Sequence, residues 1–178
     1  MTARKLVYTA LLAALTAAGA FIRIPLGVSS ITLQFLFTAM ADVLLGAGGG
    51  ALSQGVYVAL GLLGLPIFTT GGGLGYVLQP TFGFLLGLIP AAAVIGAVSG
   101  KSPSPLRIAL ACAAGLAVLY AVGVPYMALI LNGYMGKNMS LSALLWAGMI
   151  PFLPGDAIKI AVTAALCPLL QKRVSAFR

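Results

Sequence analysis

Long apolar runs alternate with short polar or glycine- and proline-rich stretches along the whole chain. A helix needs about 20 residues to cross roughly 30 Å of hydrocarbon, and six runs approach that length. The pattern predicts an all-α integral membrane protein with six transmembrane helices. The predicted spans are about 6–23, 32–46, 49–64, 80–98, 106–131 and 152–171. The second and third runs also fit one hairpin of shorter, tilted helices.

Composition supports a membrane protein. Hydrophobic residues make up 61% of the chain and charged residues 7%, against about 25% charged residues in ordinary soluble domains. The 178 residues suggest a single domain, 1–178. The net charge is +8, but the basic residues are scattered between apolar runs. We therefore expect anionic lipid headgroups, and not nucleic acid, as their counterpart.

The basic residues also predict the orientation. With six spans both termini lie on one side, and that side collects seven basic residues against two, Arg23 and Lys137, on the other. The positive-inside rule then makes both termini cytoplasmic. The outward links 24–31, 65–79 and 132–150 are long and rich in Gly, Pro, Tyr and Asn, which favours a binding site open to the outside. The seven basic residues on the side of the termini are Arg4, Lys5, Lys101, Arg107, Lys172, Arg173 and Arg178.

One outward link, 65–79, is a glycine-rich loop that leads into the fourth span. Four of the five residues from 71 to 75 are glycine, but no Gly-Lys-Ser/Thr follows, so this is not a phosphate loop. Irregular backbone at membrane depth has to be buried in protein or line a cavity. We predict that the loop forms one wall of a binding site, with Gly73, Tyr76 and Gln79 as ligand contacts.

Asp156 and Lys159 form the charged part of the predicted site. They are three residues apart and share one face of a helix. Ionisable residues within a membrane segment are expensive and usually functional, although an ion pair that only satisfies itself is an alternative. An ionised Asp accepts hydrogen bonds and a Lys donates them. The pair therefore suits a ligand with N–H donors and a negative group.

Polar and aromatic side chains near the outer ends of other spans complete the predicted site. Gln79 offers both a donor and an acceptor, and Thr32 and Gln34 add polar groups at the start of the second span. Phe84 and Tyr126 are candidates for apolar walls. Aromatic residues at these depths are also typical anchors at the lipid interface, and both interpretations stay open.

Asp42 lies toward the cytoplasmic end of the second span. It is a candidate for an ion-coupling acid, but no second carboxylate lies nearby and the chain contains no His. We favour a structural pair with a basic residue or an interfacial position. The absence of His and of any nucleophile–base arrangement also argues against an integral-membrane enzyme. We expect no cofactor and no metal.

Small residues recur every fourth position on the first span, at Ala10, Ala14 and Ala18. Such spacing lets two helices approach closely in lipid. It predicts either packing inside the bundle or docking onto another membrane protein, and the spacing does not distinguish them.

Four motifs follow one another along nearly the whole chain. They are Thr32-Leu-Gln34, Tyr57 with Gly61 through Pro66, Gly71 through Tyr76 with Pro80 through Phe84, and Gly155-Asp156 with Lys159. In this order they resemble the BioY family, the biotin-specific S components of energy-coupling factor (ECF) transporters.

The resemblance implies a high-affinity biotin-binding subunit with six helices in the plasma membrane of a prokaryote. It also implies a transmembrane coupling protein and two cytoplasmic ATPases as partners, with the first-helix Ala10 and Ala14 contacting the coupling protein and Ala18 extending that contact. Biotin is then the transported ligand. The competing hypothesis is a stand-alone, ion-driven vitamin carrier, monomeric or oligomeric.

Biotin combines a ureido head, a sulfur-containing ring and a carboxylate. Under this resemblance Asp156 accepts from the ureido N–H groups and Gln79 donates to the ureido carbonyl. Lys159 either pairs with the ligand carboxylate or holds Asp156 ionised, and both roles stay open.

Overall fold

The computed structural model describes residues 3–101 and 103–174, which are mostly helical; Arg178, counted above for the orientation, lies outside them. Short segments of 3-10 helix, Leu74–Leu78 and Ile150–Phe152, precede α3 and α6, and α4 continues as a π-helix, Leu129–Tyr134. The main elements in chain order are α1 Ala3–Phe21, β1 Arg23–Leu26, β2 Ser29–Thr32, α2 Gln34–Leu62, α3 Phe82–Ser99, α4 Pro105–Ala128, α5 Leu141–Gly148 and α6 Leu153–Val174.

Four helical stretches in the described part of the chain are long and apolar enough to cross a membrane. They are Gln34–Leu62, Phe82–Ser99, Pro105–Tyr134 and Leu141–Arg173. A multi-pass helical membrane protein is therefore confirmed. The helix α1, which contains Arg4 and Lys5, is not among the four. The count of six spans and the side on which the termini lie stay predictions.

The helix α2 is broken at Gly46, which has φ 74° and ψ 175°. Glycine adopts such a backbone readily, whereas a Cβ makes it unfavourable. Three contacts join the halves 34–45 and 47–62, each about one turn further from the break: Asp42 with Gly50, Thr38 with Gln54, and Gln34 with Tyr57. The two halves therefore run antiparallel, and they correspond to the second and third apolar runs.

This fold at Gly46 corrects the interpretation of Asp42. The side chain is fully buried against Gly50, and neither carboxylate oxygen has a hydrogen-bond partner among the described residues. One favoured interpretation, a pair with a basic residue, is therefore wrong, whereas an interfacial position concerns membrane depth and stays a prediction. The reason is geometric, because the antiparallel return of α2 encloses the residue that precedes the break by one turn.

Buried polar groups fasten α1 to α2. Gln54 Nε2 donates to Thr16 Oγ1 at 3.3 Å, and Ser53 Oγ donates to the carbonyl of Thr9 at 3.2 Å. Thr38 Oγ1 donates to Gln54 Oε1 at 3.0 Å, so both ends of that amide are engaged. Polar groups removed from water need such partners. The network therefore fixes the register of α1 against both halves of α2.

The helix α3 packs against α2 on one side and α4 on the other. Glycines permit the closest approaches. At Gly96 a Cβ would collide with the backbone of Ala47, and at Gly115 it would collide with the side chain of Ile95. Small residues of this kind let helices approach closely in lipid, where packing contributes much of the association.

The links between the predicted spans contain two elements that the apolar runs do not predict, and the first of them departs from the all-α expectation. Residues 23–32 form an antiparallel hairpin in which Arg23 pairs with Thr32 and Leu26 with Ser29. The turn contains Gly27 at φ 63°. In the link 132–150, the short helix α5 begins at Leu141, and the hydroxyl of the preceding Ser140 caps it by accepting from the Ala143 N–H. Four-residue strands and a two-turn helix are too short for apolar periodicity to reveal them.

Candidate functional site

A cavity of about 170 Å³ lies between the hairpin, the loop before α3 and the helices α2, α3, α4 and α6. Elements distant in sequence each contribute part of its wall. Seven of the nine predicted ligand contacts line it: Thr32, Gln34, Tyr76, Gln79, Phe84, Asp156 and Lys159. The structure therefore brings together the glycine-rich loop and the charged pair, as the sequence predicted.

The charged pair lies at the start of α6, where both side chains are buried. Lys159 Nζ donates to Asp156 Oδ1 at 2.8 Å. The hydroxyl of Tyr120, on α4, donates to Asp156 Oδ2 at 2.5 Å. An ionised carboxylate has about four lone-pair positions. Each oxygen therefore has one protein partner and keeps capacity to accept from a ligand.

A chain of hydrogen bonds links the start of α2 to the loop. Thr32 Oγ1 donates to Gln34 Oε1 at 3.0 Å, and Gln34 Nε2 donates to the Tyr57 hydroxyl at 2.8 Å. The Tyr57 hydroxyl in turn donates to the carbonyl of Ile67 at 3.0 Å. The polar wall formed by Thr32 and Gln34 is thereby tied to the backbone of the glycine-rich loop.

Aromatic rings pack beneath the loop. Tyr76 is buried, with its ring centroid 4.7 Å from that of Phe68 and 6.3 Å from that of Phe82. Its hydroxyl accepts from Thr70 Oγ1 at 3.2 Å. On the opposite wall, the ring of Phe84 meets that of Tyr120 edge to face at 6.3 Å. The cavity therefore has aromatic walls next to the charged pair.

Gly73 and Tyr126 are not among the residues that line the cavity. The Gly73 N–H donates to the carbonyl of Gly61 at 2.7 Å. The Tyr126 hydroxyl donates to the carbonyl of Val77 at 2.6 Å, and its ring packs on Phe82. The hydrogen bond of Gly73 ties the loop to α2, and that of Tyr126 ties the loop to α4.

The alanines predicted to dock a partner lie on the outer face of α1. Ala10, Ala14 and Ala18 are all exposed, whereas Ala13 is 4% exposed and belongs to the core. The stripe is therefore not used for packing within the described part of the chain.

Comparison with known proteins identifies the family. The sequence profile of the BioY family matches residues 1–176. The chain belongs to the BioY family. It is 44% identical to a protein of Lysinibacillus sphaericus named "Probable biotin transporter BioY", over 94% of this chain and 86% of that protein. It is 36% identical to the "Biotin transporter BioY" of Thermotoga maritima, over 95% and 96% of the two chains.

A solved structure has the same fold. It is described as the S-component for biotin from an ECF-type ABC transporter, and it matches with a TM-score of 0.81 and 26% identity over 97% of this chain and 95% of that chain. The resemblance drawn from the four motifs is therefore confirmed. Because the BioY relatives are named as transporters, the expectation that the chain is not an enzyme is confirmed as well.

Sequence reasoning missed Tyr120, the second partner of Asp156. A usable signal existed, because Tyr120 lies within the apolar run 106–131 and a buried tyrosine hydroxyl usually has a hydrogen-bond partner. Four hydroxyl-bearing residues at the hairpin and the loop were also missed, although they line the cavity: Ser29, Ser30, Thr69 and Thr70.

Proposed function

We propose that the chain is the biotin-binding S component of an ECF-type transporter, and that biotin occupies the cavity described above. The observation that carries the proposal is the placement of Asp156, held by Lys159 and Tyr120, in a cavity that also contains Gln79. In a membrane protein of the BioY family, this arrangement matches the acceptor and donor needs of a ureido head.

The ligand contacts follow from this chemistry. Asp156 accepts from a ureido N–H, and the Gln79 amide donates to the ureido carbonyl. The sulfur-containing ring and the alkyl chain contact the apolar wall, which Phe84, Leu88 and Leu119 contribute to the cavity. Ligand pockets commonly combine such apolar walls with a few placed polar groups.

Lys159 acts on Asp156 and not on the ligand carboxylate. Its ammonium group lies 2.8 Å from Asp156 Oδ1, and both side chains are buried. Moving Lys159 to a second carboxylate would leave Asp156 without its cation in a site shielded from water, which is strongly unfavourable.

The cavity opens to the outside, and both termini are cytoplasmic. Support comes from the basic residues, seven on the side of the termini and two on the side of the hairpin and the loop. Six spans result if α1, the two antiparallel halves of α2, α3, α4 and α6 each cross the bilayer.

The exposed stripe of Ala10, Ala14 and Ala18 contacts the transmembrane coupling protein. Small exposed residues at this spacing allow a second helix to approach closely within lipid. The complete assembly then includes two cytoplasmic ATPases and resides in the plasma membrane of a prokaryote. The whole chain, 1–178, acts in it as one substrate-binding domain that needs no cofactor of its own.

The experiment is a calorimetric titration of the purified chain with biotin, together with mass spectrometry of any small molecule that co-purifies. We expect saturable binding of one biotin per chain. We also expect biotin to co-purify, because a tight site retains its ligand. Absence of binding, with a different molecule co-purifying, would refute the proposal. Uptake by this chain in cells that lack any coupling protein would instead favour the stand-alone carrier.

A further inference from the structure

The charges that line the cavity cancel, and this leaves the acid end of the ligand without a partner inside. Among the described residues in its wall, Asp156 and Lys159 are the charged ones, and they neutralise each other at 2.8 Å. Burying another carboxylate without a partner is costly. If the ureido head binds at Asp156, the ligand carboxylate therefore has to lie at the edge of the cavity, within reach of water or of a cation outside the wall.

Arg23 lies beside the cavity at its hairpin edge. It is the first residue of β1 and pairs directly with Thr32 on β2, and Thr32 lines the cavity. Its Nη1 donates to the carbonyl of Thr69 at 2.5 Å, and Thr69 lines the cavity on the side of the loop. Arg23 thus links two edges of the wall, by its strand pairing with Thr32 and its side-chain hydrogen bond to Thr69, without itself being one of the lining residues.

The chemistry of the guanidinium group allows a second role. It carries five N–H donors and no acceptor, and it stays charged in proteins. The contact with Thr69 engages Nη1 and leaves other nitrogens that can donate to a carboxylate. Arginine is well suited to carboxylates because two parallel N–H donors can meet both oxygens.

We propose that Arg23 binds the carboxylate of the ligand at the edge of the cavity and makes this chain selective for the free acid over neutral derivatives. The inference rests on the proposed function, because it places the ureido head at Asp156. The hydroxyl-bearing Ser29, Ser30 and Thr70, which line the cavity with Thr69, surround the acid end with further donors. Recognition is then divided between a buried head site and a charged outer site.

The test compares two ligands that share the ureido head, biotin and its neutral primary amide, biotinamide. Wild-type protein should bind biotin about tenfold more tightly, as expected for a hydrogen bond between charged groups. In R23Q the affinity for biotin should fall about tenfold while that for biotinamide stays unchanged. Glutamine removes the charge and keeps a polar N–H donor on a neutral side chain, so this variant tests the charge of Arg23.

Two further variants separate charge from structure. R23K keeps the positive charge and should retain part of the preference for biotin. K137Q removes the other outward basic residue, which does not line the cavity, and should change neither affinity. If R23Q does not fold, the affinities of wild type and R23K at low and high salt still test the inference. The preference for biotin should weaken as salt screens the exposed charge.

Equal affinity of wild type for biotin and biotinamide would overturn the inference and leave the proposed function intact. An equal loss of both ligands in R23Q, or no loss of either, would also overturn it. Failure of wild type to bind either ligand would refute the proposed function itself.

Discussion

The Tyr120 hydroxyl on α4 donates to Oδ2 of Asp156 on α6 at 2.5 Å, and these residues are 36 positions apart in the chain. Lys159 donates to the other oxygen, Oδ1, at 2.8 Å. A carboxylate held at both oxygens is oriented before a ligand arrives. Preorganisation of this kind increases affinity, since less freedom is lost on binding.

Replacing Tyr120 with phenylalanine should weaken biotin binding about tenfold, because one oxygen of Asp156 loses a charge-assisted hydrogen bond. The ring and its contact with Phe84 are kept. Calorimetric titration of purified Y120F measures the change. Tyr134 is 66% exposed, so Y134F is the matched control and should bind as wild type does. Unchanged affinity in Y120F would show that Lys159 alone orients the carboxylate.

Replacing Asp156 with asparagine should lower biotin affinity by about tenfold or more, since a hydrogen bond to a charged group is worth about 1.5–3 kcal/mol. The substitution keeps the size of the side chain but removes the charge and one acceptor oxygen. Titration of detergent-purified D156N with biotin measures the loss. Affinity equal to that of wild type would exclude Asp156 as the acceptor for the ureido head.

The position of Lys159 predicts non-additive losses with Asp156. K159M removes the ammonium group that lies 2.8 Å from Asp156 Oδ1 and keeps a side chain of similar length. If Lys159 acts through Asp156, the double variant D156N/K159M should bind biotin no more weakly than D156N alone. Residues that act on one interaction show such coupling, whereas independent contacts add. Additive losses would assign Lys159 a contact of its own with the ligand.

The apolar runs allowed the helices to be predicted, because length and hydrophobicity decide whether a segment can cross lipid. The break at Gly46 separates the second and third predicted runs. The hairpin formed by β1 and β2 could not be recognised, since Pro25 and Gly27 are typical of loops and each strand has four residues. The burial of Asp42 depends on the fold at Gly46, which a linear pattern does not reveal.

The candidate site was predictable where several signals coincided. Asp156 and Lys159 are unusual in an apolar helix, and the loop that carries Gln79 is unusual in composition. Tyr120 was missed because its role depends on Asp156, which lies on another helix. The sequence predicts Gly73 as part of the loop and Tyr126 as an apolar wall, yet each makes a hydrogen bond to a backbone carbonyl that fixes the loop in place.

The close packing of the loop at Gly72 predicts a specific sensitivity. A Cβ there would collide with the carbonyl oxygen of Leu65, a backbone atom that cannot move aside alone. G72A should therefore displace the loop and lower biotin affinity, because Tyr76 and Gln79 move with it. Gly75 has open space at its Cβ position, so G75A is the control and should bind normally. Equal affinities of the two variants would contradict this role of the loop.

The contact of α3 with the break in α2 predicts that a larger residue at this contact lowers the stability of the fold and leaves the ligand site unchanged. A Cβ at Gly96 would collide with the backbone of Ala47, next to Gly46. Overpacking of this kind typically costs about 1–3 kcal/mol, so G96A should unfold at a lower temperature than wild type. Gly55 lies in the second half of α2 with open space around its Cβ position. G55A should be as stable as wild type or more stable, because alanine favours the helix. Thermal unfolding in detergent compares the two, and a Tm of G96A at or above that of wild type would mean that α3 and α2 separate without cost.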